Sequence, residues 1–395
     1  MQSLWHQETA GTCPRISGRQ ETDLAIGGGY TGSWLAYWLK DSGLRVTLLE
    51  RNFPGYSASG RNGGLLLQGP AQLLGDAAHL MGEAEAVDFL HWIRRAFEWV
   101  QDLASRHALD YRTTGSLSVA GDPDERPVLE STVDLMQSAG IPTRLVPRTE
   151  RLASIQRLGY DWGAYMPDDG MIHPIKLIGA LLAEARKEGV SVYPNSEVAH
   201  ADENGKGVAL RGEGLEVVTR SRRLRYQRLH PIVARRMGTP NSTGPGSDAG
   251  FGALAPLRSR ISGLCRPWVQ LLASTPGRSC RGGGLRHLAL DEEVGTTLAL
   301  HDRIQHRLTT WLHALAGNPA PVAHRWAGTM AMTPDQKPYL RQVTQRIWAA
   351  IEYNGHGSTV APSAARMLRD ALLDGVPVFA AYNVNRLRGV NHEMD

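Results

Sequence analysis

Three glycines, Gly27, Gly29 and Gly32, follow the run Asp23 to Ile26 and stand at the mouth of a helical pattern. In that setting the first permits a tight turn, the second lets backbone approach a pyrophosphate, and the third lets strand and helix pack closely. A helix beginning there offers unpaired N–H groups and the positive end of its dipole to phosphates. Glu50 closes a second strand-like run eighteen residues beyond Gly32, where a carboxylate can accept both hydroxyl protons of an adenosine ribose. An acid at that place favours an unphosphorylated ribose, so FAD and NAD both fit better than NADP. These residues do not separate the two. Tyr56 to Gly64, YSASGRNGG, is too poor in apolar residues for a core and too rich in glycine for a helix. Such a loop can lay its backbone against a flat ligand.

Other residues carry a functional and a structural reading side by side. His356, between Gly355 and Gly357, is poorly explained by core packing and is the candidate catalytic residue. His173 precedes Pro174 at an expected helix start, as a substrate contact or as part of the entry turn. Trp326 lies in a strand pattern and reads as core, with a flat wall for a ligand ring as its other role. Asp335, Lys337 and Pro338 read as a solvated turn as much as a binding loop. Trp92, Phe97 and Trp99 stand at helical spacing and read as packing.

The elements that must position these residues alternate between periods of two and 3.6. Asp23 to Glu50 is a β-α-β unit. Helical spacing predicts helices at about 76–107, 125–139, 174–188, 301–316 and 361–374. Strand patterns fall at TGSLSVAG (114–121), TRLVP (143–147), WGAYMP (162–167), SVYP (191–194), NSEVAHADEN (195–204), GVALRGEGLEVVT (207–219), VAHRWAGTMAM (322–332) and RIWAAIEY (346–353), with a turn at Asn204 and Gly205. This order indicates an α/β fold. A single core stops growing at roughly 250–300 residues, so 395 residues imply two domains.

With 42% hydrophobic and 21% charged residues, the chain is neither disordered nor fibrous. Cys13, Cys265 and Cys280 lack the paired spacing of a zinc site and are too few for a disulfide framework, so no metal and a reducing compartment are expected. The first fifteen residues are polar, and the longest strongly apolar stretch is Trp34 to Leu39. A membrane span needs roughly 20 such residues. The expectation is a cytoplasmic protein with no leader and no span.

Taken together, the motifs resemble those of the flavin-dependent amine and amino-acid oxidases related to D-amino acid oxidase, glycine oxidase and sarcosine oxidase, and within them the gamma-glutamylputrescine oxidase branch. The likeness rests on SLW at 3–5, GGGYTG at 27–32, SASGRNGG at 57–64, DDGMIHPIKL at 168–177, HRWAGTMAMTPDQKP at 324–338 and YNGHGSTVAP at 353–362. It covers 1–219 and 283–395. The resemblance implies a Rossmann-like FAD-binding domain with a mostly parallel sheet, built from 1–75, 165–220 and 320–395. An α+β substrate domain with an antiparallel sheet would comprise 76–164 and 283–319.

By the same resemblance, the FAD pyrophosphate lies over Gly27, Gly29 and Gly32 beside Tyr30 and Thr31, and the adenosine ribose meets Glu50 and Arg51. Ser57, Ala58, Ser59, Arg61, Asn62, Gly63 and Gly64 line the pyrophosphate and the ring edge. Val198, in a short strand after the 174–188 helix, matches the place where backbone groups hold adenine. Gly355, His356, Gly357 and Thr359 match a loop that closes over the flavin, with the helix from 361 aiming its N-terminus at the ring and favouring its anionic reduced form. The implied reaction is hydride loss from the α-carbon of a small amine or amino acid to flavin N5, followed by imine hydrolysis and reoxidation by O2 or another acceptor. It asks the protein for position and charge more than for acid–base groups, so no catalytic triad is expected. The rival readings are an NAD-dependent dehydrogenase, which SASGRNGG and the C-terminal glycine loop oppose, and a chain that binds FAD without turnover.

The family pattern breaks at 220–282, where the resemblance implies a strand and turn beneath the flavin and then the antiparallel sheet of the substrate cavity. These 63 residues hold twelve Arg, no Lys and one acid, Asp248, and show no sustained period. Their net +11 leaves −7 for the other 332 residues of a chain whose total is +4. Arginine without lysine among Gly, Pro and Ser is the composition of a GC-rich gene read out of frame. The composition leads to the expectation that two compensating frameshifts, or sequencing errors, replaced about 63 residues; a basic insertion for nucleic acid or anionic lipid would need aromatic interleaving or a helical basic face, and neither is present. No nucleic-acid partner is expected.

Overall fold

The computed structural model describes residues 2–8, 15–69, 78, 82–119, 125–147, 161–204, 207–220, 270–275, 279–283, 299–300, 302–317, 319, 321–328 and 337–378. Cys13, Cys265, Asp335 and most of 220–282 lie outside them.

Strands β2 (Leu24–Gly27), β3 (Val46–Leu49) and β10 (Ser191–Tyr193) form a parallel sheet in the order β10-β3-β2. Leu24, Ile26, Val46 and Leu48 are all buried, as expected of strands covered on both faces. One cover consists of helices α1 (Tyr30–Leu39), α4 (Pro174–Lys187) and α6 (Gly357–Asp374), whose Trp34, Leu35, Leu39, Leu177, Leu181, Ala364 and Leu368 share a core with the sheet. The other cover is a four-stranded sheet of β1 (Gly18–Thr22), β13 (Leu215–Arg220), β12 (Gly207–Gly212) and β11 (His200–Asn204), in that spatial order. Ile16, Ala25, Leu49, Val208, Leu210, Leu215 and Val217 fill the gap between the two sheets.

A second, antiparallel sheet runs β6 (Ser116–Val119), β8 (Trp162–Met166), β7 (Arg144–Pro147). Helix α3 (Arg126–Ser138) packs Leu129, Val133 and Met136 on its Ala164 and Met166. The long helix α2 (Glu83–Arg106) serves both cores, giving Ala86 and Leu90 to this one and Phe89, Ile93, Phe97, Val100 and Leu103 to the first. Trp92 and Trp99 pack beside it, in keeping with their helical spacing. Between the two bodies lies a small sheet of β4 (Leu65–Leu66), β9 (Gly170–Met171) and β5 (Arg112–Thr113). Helix α5 (Asp302–Ala316) and the hairpin β16 (Tyr339–Gln342) and β17 (Trp348–Ile351) complete the framework.

Several expectations are corrected. Residues 321–328 form no strand, because their polar groups bond elsewhere: Arg325 donates to Gln305 and Thr309 of α5, and Trp326 donates to the Arg61 carbonyl. Val198 lies in irregular chain between β10 and β11 and not in a strand, the chain having left the parallel sheet where Ser196 N–H bonds the Glu50 carbonyl. The last helix begins at Gly357, four residues before the predicted start, and carries Pro362 inside it. GVALRGEGLEVVT is two strands around a turn at Glu213 and Gly214. The stretch 220–282, expected to be without regular structure, supplies β14 (Gln270–Thr275) and most of β15 (Ser279–Gly283), which pair antiparallel. Strand β1 has a polar sequence without a strand signature, and its parallel pairing with β13 defines it.

Candidate cofactor and active site

The N-terminus of α1 is where the separate motifs meet. A Cβ at Gly32 would run into the Gly27 carbonyl, so strand and helix approach as closely as two backbones allow. Gly28 is equally constrained: a Cβ there would sit 2.7 Å from Cβ and 2.9 Å from Oε2 of Glu50. The fingerprint left Gly28 as a free position, and the packing shows that it sets where Glu50 stands. Glu50 accepts the Asn52 N–H at 3.2 Å, and burial pushes its carboxyl above the usual range. Two ribose hydroxyls would add further donors to this carboxylate.

The loop 57–64 closes against the same helix end. Ser59 Oγ accepts the Tyr30 N–H at 3.0 Å, and Asn62 Nδ2 donates to the Ser59 carbonyl at 2.8 Å while its Oδ1 accepts the Gly64 N–H at 2.8 Å. The N-terminal SLW explains itself here. Ser3 Oγ donates to the Gly60 carbonyl at 2.5 Å and Trp5 Nε1 to the Asn62 carbonyl at 2.8 Å. His6 stacks on Tyr56, and burial together with the nearby Arg61 lowers its pKa to about 4, so the imidazole is neutral. Arg61 is buried and donates to the carbonyls of Tyr56 and Ala327. Trp326 braces the loop from outside through its 3.0 Å bond to the Arg61 carbonyl and is half-buried.

From the C-terminal side, Tyr353 Oη and Thr31 Oγ1 share a hydrogen bond of 2.6 Å, and a Cβ at Gly357 would stand 3.7 Å from the Tyr30 ring. Glu352 and Asn354 flank Tyr353 at φ +62° and +52°, a left-handed conformation that non-glycine residues adopt at a cost. That strain delivers His356 to the N-cap of α6, beside the N-terminus of α1. Its Nδ1 is enclosed and has no hydrogen-bond partner among the described residues. Burial lowers the imidazole pKa to about 4, so it stays neutral at physiological pH.

Two helix N-termini, a backbone cradle that a Cβ would fill, a largely buried carboxylate and an enclosed imidazole nitrogen therefore come together. The set fits a dinucleotide with an extended flat ring, and FAD meets each requirement. On the ribose side, Arg51 reaches Glu197 at 3.8 Å across a cleft of about 270 Å³ lined by Arg15, Arg51, Asn195 and Glu197, beside half-buried Val198. A larger cavity of about 460 Å³ lies elsewhere, against Gln137, Ile141 and Tyr165, and touches none of the motifs.

His173 caps α4: its Nδ1 accepts the Lys176 N–H at 3.3 Å and its ring meets Trp5 edge-on. Lys337 pairs with Glu85 at 2.6 Å. Sequence reasoning missed Gly28, Tyr353 and the bracing by Ser3, Trp5 and His6. A third consecutive glycine at 27–29 was the available signal for the first; the others depend on partners far away in the chain.

A family model described as DAO, FAD dependent oxidoreductase, matches residues 24–371. The chain is 25% identical over 372 residues, 91% of its length and 85% of the relative's, to the protein described as probable oxidoreductase OrdL of Rhizobium meliloti. It is 23% identical to gamma-glutamylputrescine oxidoreductase of Escherichia coli, covering 90% and 84% of the two chains. Among solved structures, L-proline dehydrogenase from P. horikoshii superposes with a TM-score of 0.70 at 17% identity, over 96% of this chain and 99% of the other.

Proposed function

The chain belongs to the DAO family of FAD-dependent oxidoreductases, and from that premise we propose that it oxidises the CH–NH group of an amino acid or amine derivative by hydride transfer. The observation that supports this most is the approach of the α1 and α6 N-termini, held by the Tyr353–Thr31 bond and by Gly357 against the Tyr30 ring, with the enclosed His356 Nδ1 at the cap of α6. Bound FAD supplies the acceptor of the hydride and passes the electrons to O2 or another acceptor. The backbone N–H groups at the start of α1 hold the pyrophosphate, and Glu50 takes the ribose hydroxyls. Ser59 fixes the loop 57–64 against the start of α1, where the loop would border the pyrophosphate and the ring edge. His356, being neutral, hydrogen-bonds the ring or the substrate without adding a positive charge, while the α6 dipole favours negative charge developing on the ring.

The substrate class rests on the relatives, whose names specify gamma-glutamylputrescine and L-proline. In this reading 1–75, 165–220 and 320–395 hold the cofactor, and 76–164 with 283–319 present the substrate. His173 and Trp326 make the scaffold contacts described above, and in this reading both stand as candidate substrate contacts as well.

A second reading follows from the Arg-rich composition of 220–282: an out-of-frame stretch would leave a chain that binds FAD but turns nothing over. One experiment separates the two. Purified protein should show the visible flavin bands, and these should bleach anaerobically when an amine or amino acid from a panel is added. A colourless protein defeats the FAD site, and a yellow protein inert to the whole panel favours the second reading. Resequencing the gene tests the frameshift directly.

A further inference from the structure

Asp169 is fully buried, carries no part of the chemistry proposed above, and sits where both bodies of the molecule touch. Its Oδ1 accepts the backbone N–H of Gln68 at 2.9 Å, and its Oδ2 accepts the Ser116 hydroxyl at 2.6 Å. Its carbonyl accepts the N–H groups of Thr114 at 3.1 Å and Gly115 at 2.8 Å. Gln68 stands just beyond β4, which continues directly from the cradle loop 57–64 and whose Leu65 carbonyl accepts the Ser358 hydroxyl of α6. Ser116 opens β6, the first strand of the antiparallel sheet. Strand β9, one residue after Asp169, pairs with both β4 and β5, and Ile172 N–H then bonds the Gly64 carbonyl. There is no slack at this crossing, since a Cβ at Gly170 would meet the Arg112 carbonyl.

We propose that Asp169 is a positioning residue that fixes the β6-β8-β7 sheet against the flavin-side loop, and so sets how far a substrate held on that sheet lies from the cofactor. The proposal rests on the amine-oxidising reading for its kinetic consequences, and on geometry alone for its structural ones. Holding a carboxyl here is costly: burial raises its pKa from 3.8 to about 6, and Asp168 pushes the same way, while Ser116 and Gln68 pull it down. The position therefore retains a polar group against its solvation preference. Geometry rather than charge is what matters. A neutral acid keeps both bonds by reversing the one to Ser116, and an asparagine does the same by donating Nδ2–H to the Ser116 oxygen while accepting from Gln68.

The test compares FAD-loaded wild type, Asp169→Asn, Asp169→Ala and Ser116→Ala. Hydrogen exchange at the Gln68 and Ser116 amides, FAD affinity, and KM and kcat for an amine that bleaches the wild type are measured in each. Asp169→Asn should exchange at both amides no faster than the wild type and match it in FAD affinity, KM and kcat. Asp169→Ala and Ser116→Ala should speed exchange at both amides by about tenfold or more, as for the loss of one net hydrogen bond, and lower kcat about tenfold with KM and FAD affinity changed less, because a longer reach from substrate to cofactor slows transfer without removing a substrate contact. Wild-type exchange and kcat in Ser116→Ala, or equal damage from Asn and Ala, would overturn the proposal. If Asp169→Ala does not fold, Ser116→Ala and Asp169→Asn decide it. If no amine bleaches the wild-type flavin, the functional reading fails, and the exchange measurements on loaded protein still decide the positioning role.

Discussion

Replacing Gly28 by alanine tests the cradle at the one place where backbone packing and ligand chemistry meet. The added Cβ would lie 2.7 Å from Glu50 Cβ, 3.0 Å from its Cγ and 2.9 Å from Oε2. Carbon atoms settle at about 3.5–4.0 Å, so Glu50 must give way by close to an ångström. Its backbone resists, because its N–H donates to the Tyr193 carbonyl at 3.1 Å and its carbonyl accepts the Ser196 N–H at 2.8 Å. Rotating the side chain relieves the contacts with Cγ and Oε2 but not the one with Cβ, so the 27–29 turn and Glu50 must also move apart, and the carboxylate leaves the place of the ribose hydroxyls. Hydrogen bonds to a charged group contribute about 1.5–3 kcal/mol each, so the loss of one to two of them weakens FAD binding by about 3 kcal/mol, or roughly 100-fold in Kd. Titrating FAD into cofactor-free protein and following flavin fluorescence measures this, and FMN is the control because it lacks the adenosine. Gly28→Ala should lower FAD affinity roughly 100-fold and leave FMN affinity within about threefold of wild type. An unchanged FAD affinity, or an equal loss for both ligands, would refute the placement of the ribose at Glu50.

Other outcomes follow from the same geometry. Because the Asp169 carboxyl is raised from 3.8 to about 6 in the folded state, that state binds the proton more tightly than the unfolded chain, so this group's contribution to stability falls as pH rises through that window. Urea unfolding should therefore show Asp169→Asn gaining about 3 kcal/mol relative to wild type between pH 3.5 and 7, from roughly two pKa units at 1.36 kcal/mol each; parallel pH curves would contradict it. Gly32→Ala forces backbone against the Gly27 carbonyl and should cost at least 3 kcal/mol of stability or prevent folding, read from expression and thermal melts. His356→Leu removes an enclosed nitrogen without a partner but also the imidazole's bond to the Asn354 backbone, so differential scanning should find the FAD-free protein within about 1 kcal/mol of wild type and the stabilisation by FAD diminished. Tyr353→Phe deletes the 2.6 Å bond to Thr31 and should destabilise the fold by about 1 kcal/mol, measured by the same melts.

Local signals were legible wherever short-range sterics decide the outcome. The glycine turn at 27–32 is glycine because Gly32 must clear the Gly27 carbonyl, and the buried strands Leu24–Gly27 and Val46–Leu49 follow from apolar runs covered on both faces. The helices over 83–106, 126–138 and 174–187 follow from their 3.6-residue stripes. Patterns that depend on a neighbour misled. VAHRWAGTMAM alternates like a strand, but its described part bonds to Arg61 and α5, and GRQET has no strand signal until β13 lies beside it. The α6 start was obscured by Pro362, which reads as a first-turn proline although the helix is already under way.

Sequence by itself determined that the chain takes a dinucleotide with an unphosphorylated ribose, because phosphate binding at a helix N-terminus is encoded in glycines and an acid at fixed spacing; the choice of FAD over NAD came from the motifs at 57–64 and 353–362. Only the tertiary structure decided what braces that site. Tyr353 meets Thr31 across 322 positions, Ser3 meets Gly60 across 57, and Asp169 joins Gln68 to Ser116 from a third segment. Hydrogen bonds of this kind impose no periodicity on the residues that make them. Their partners become visible only after the hydrophobic cores have brought distant segments together, which is why Asp169 and Gly28 read as ordinary residues in the chain and as constrained ones in the fold.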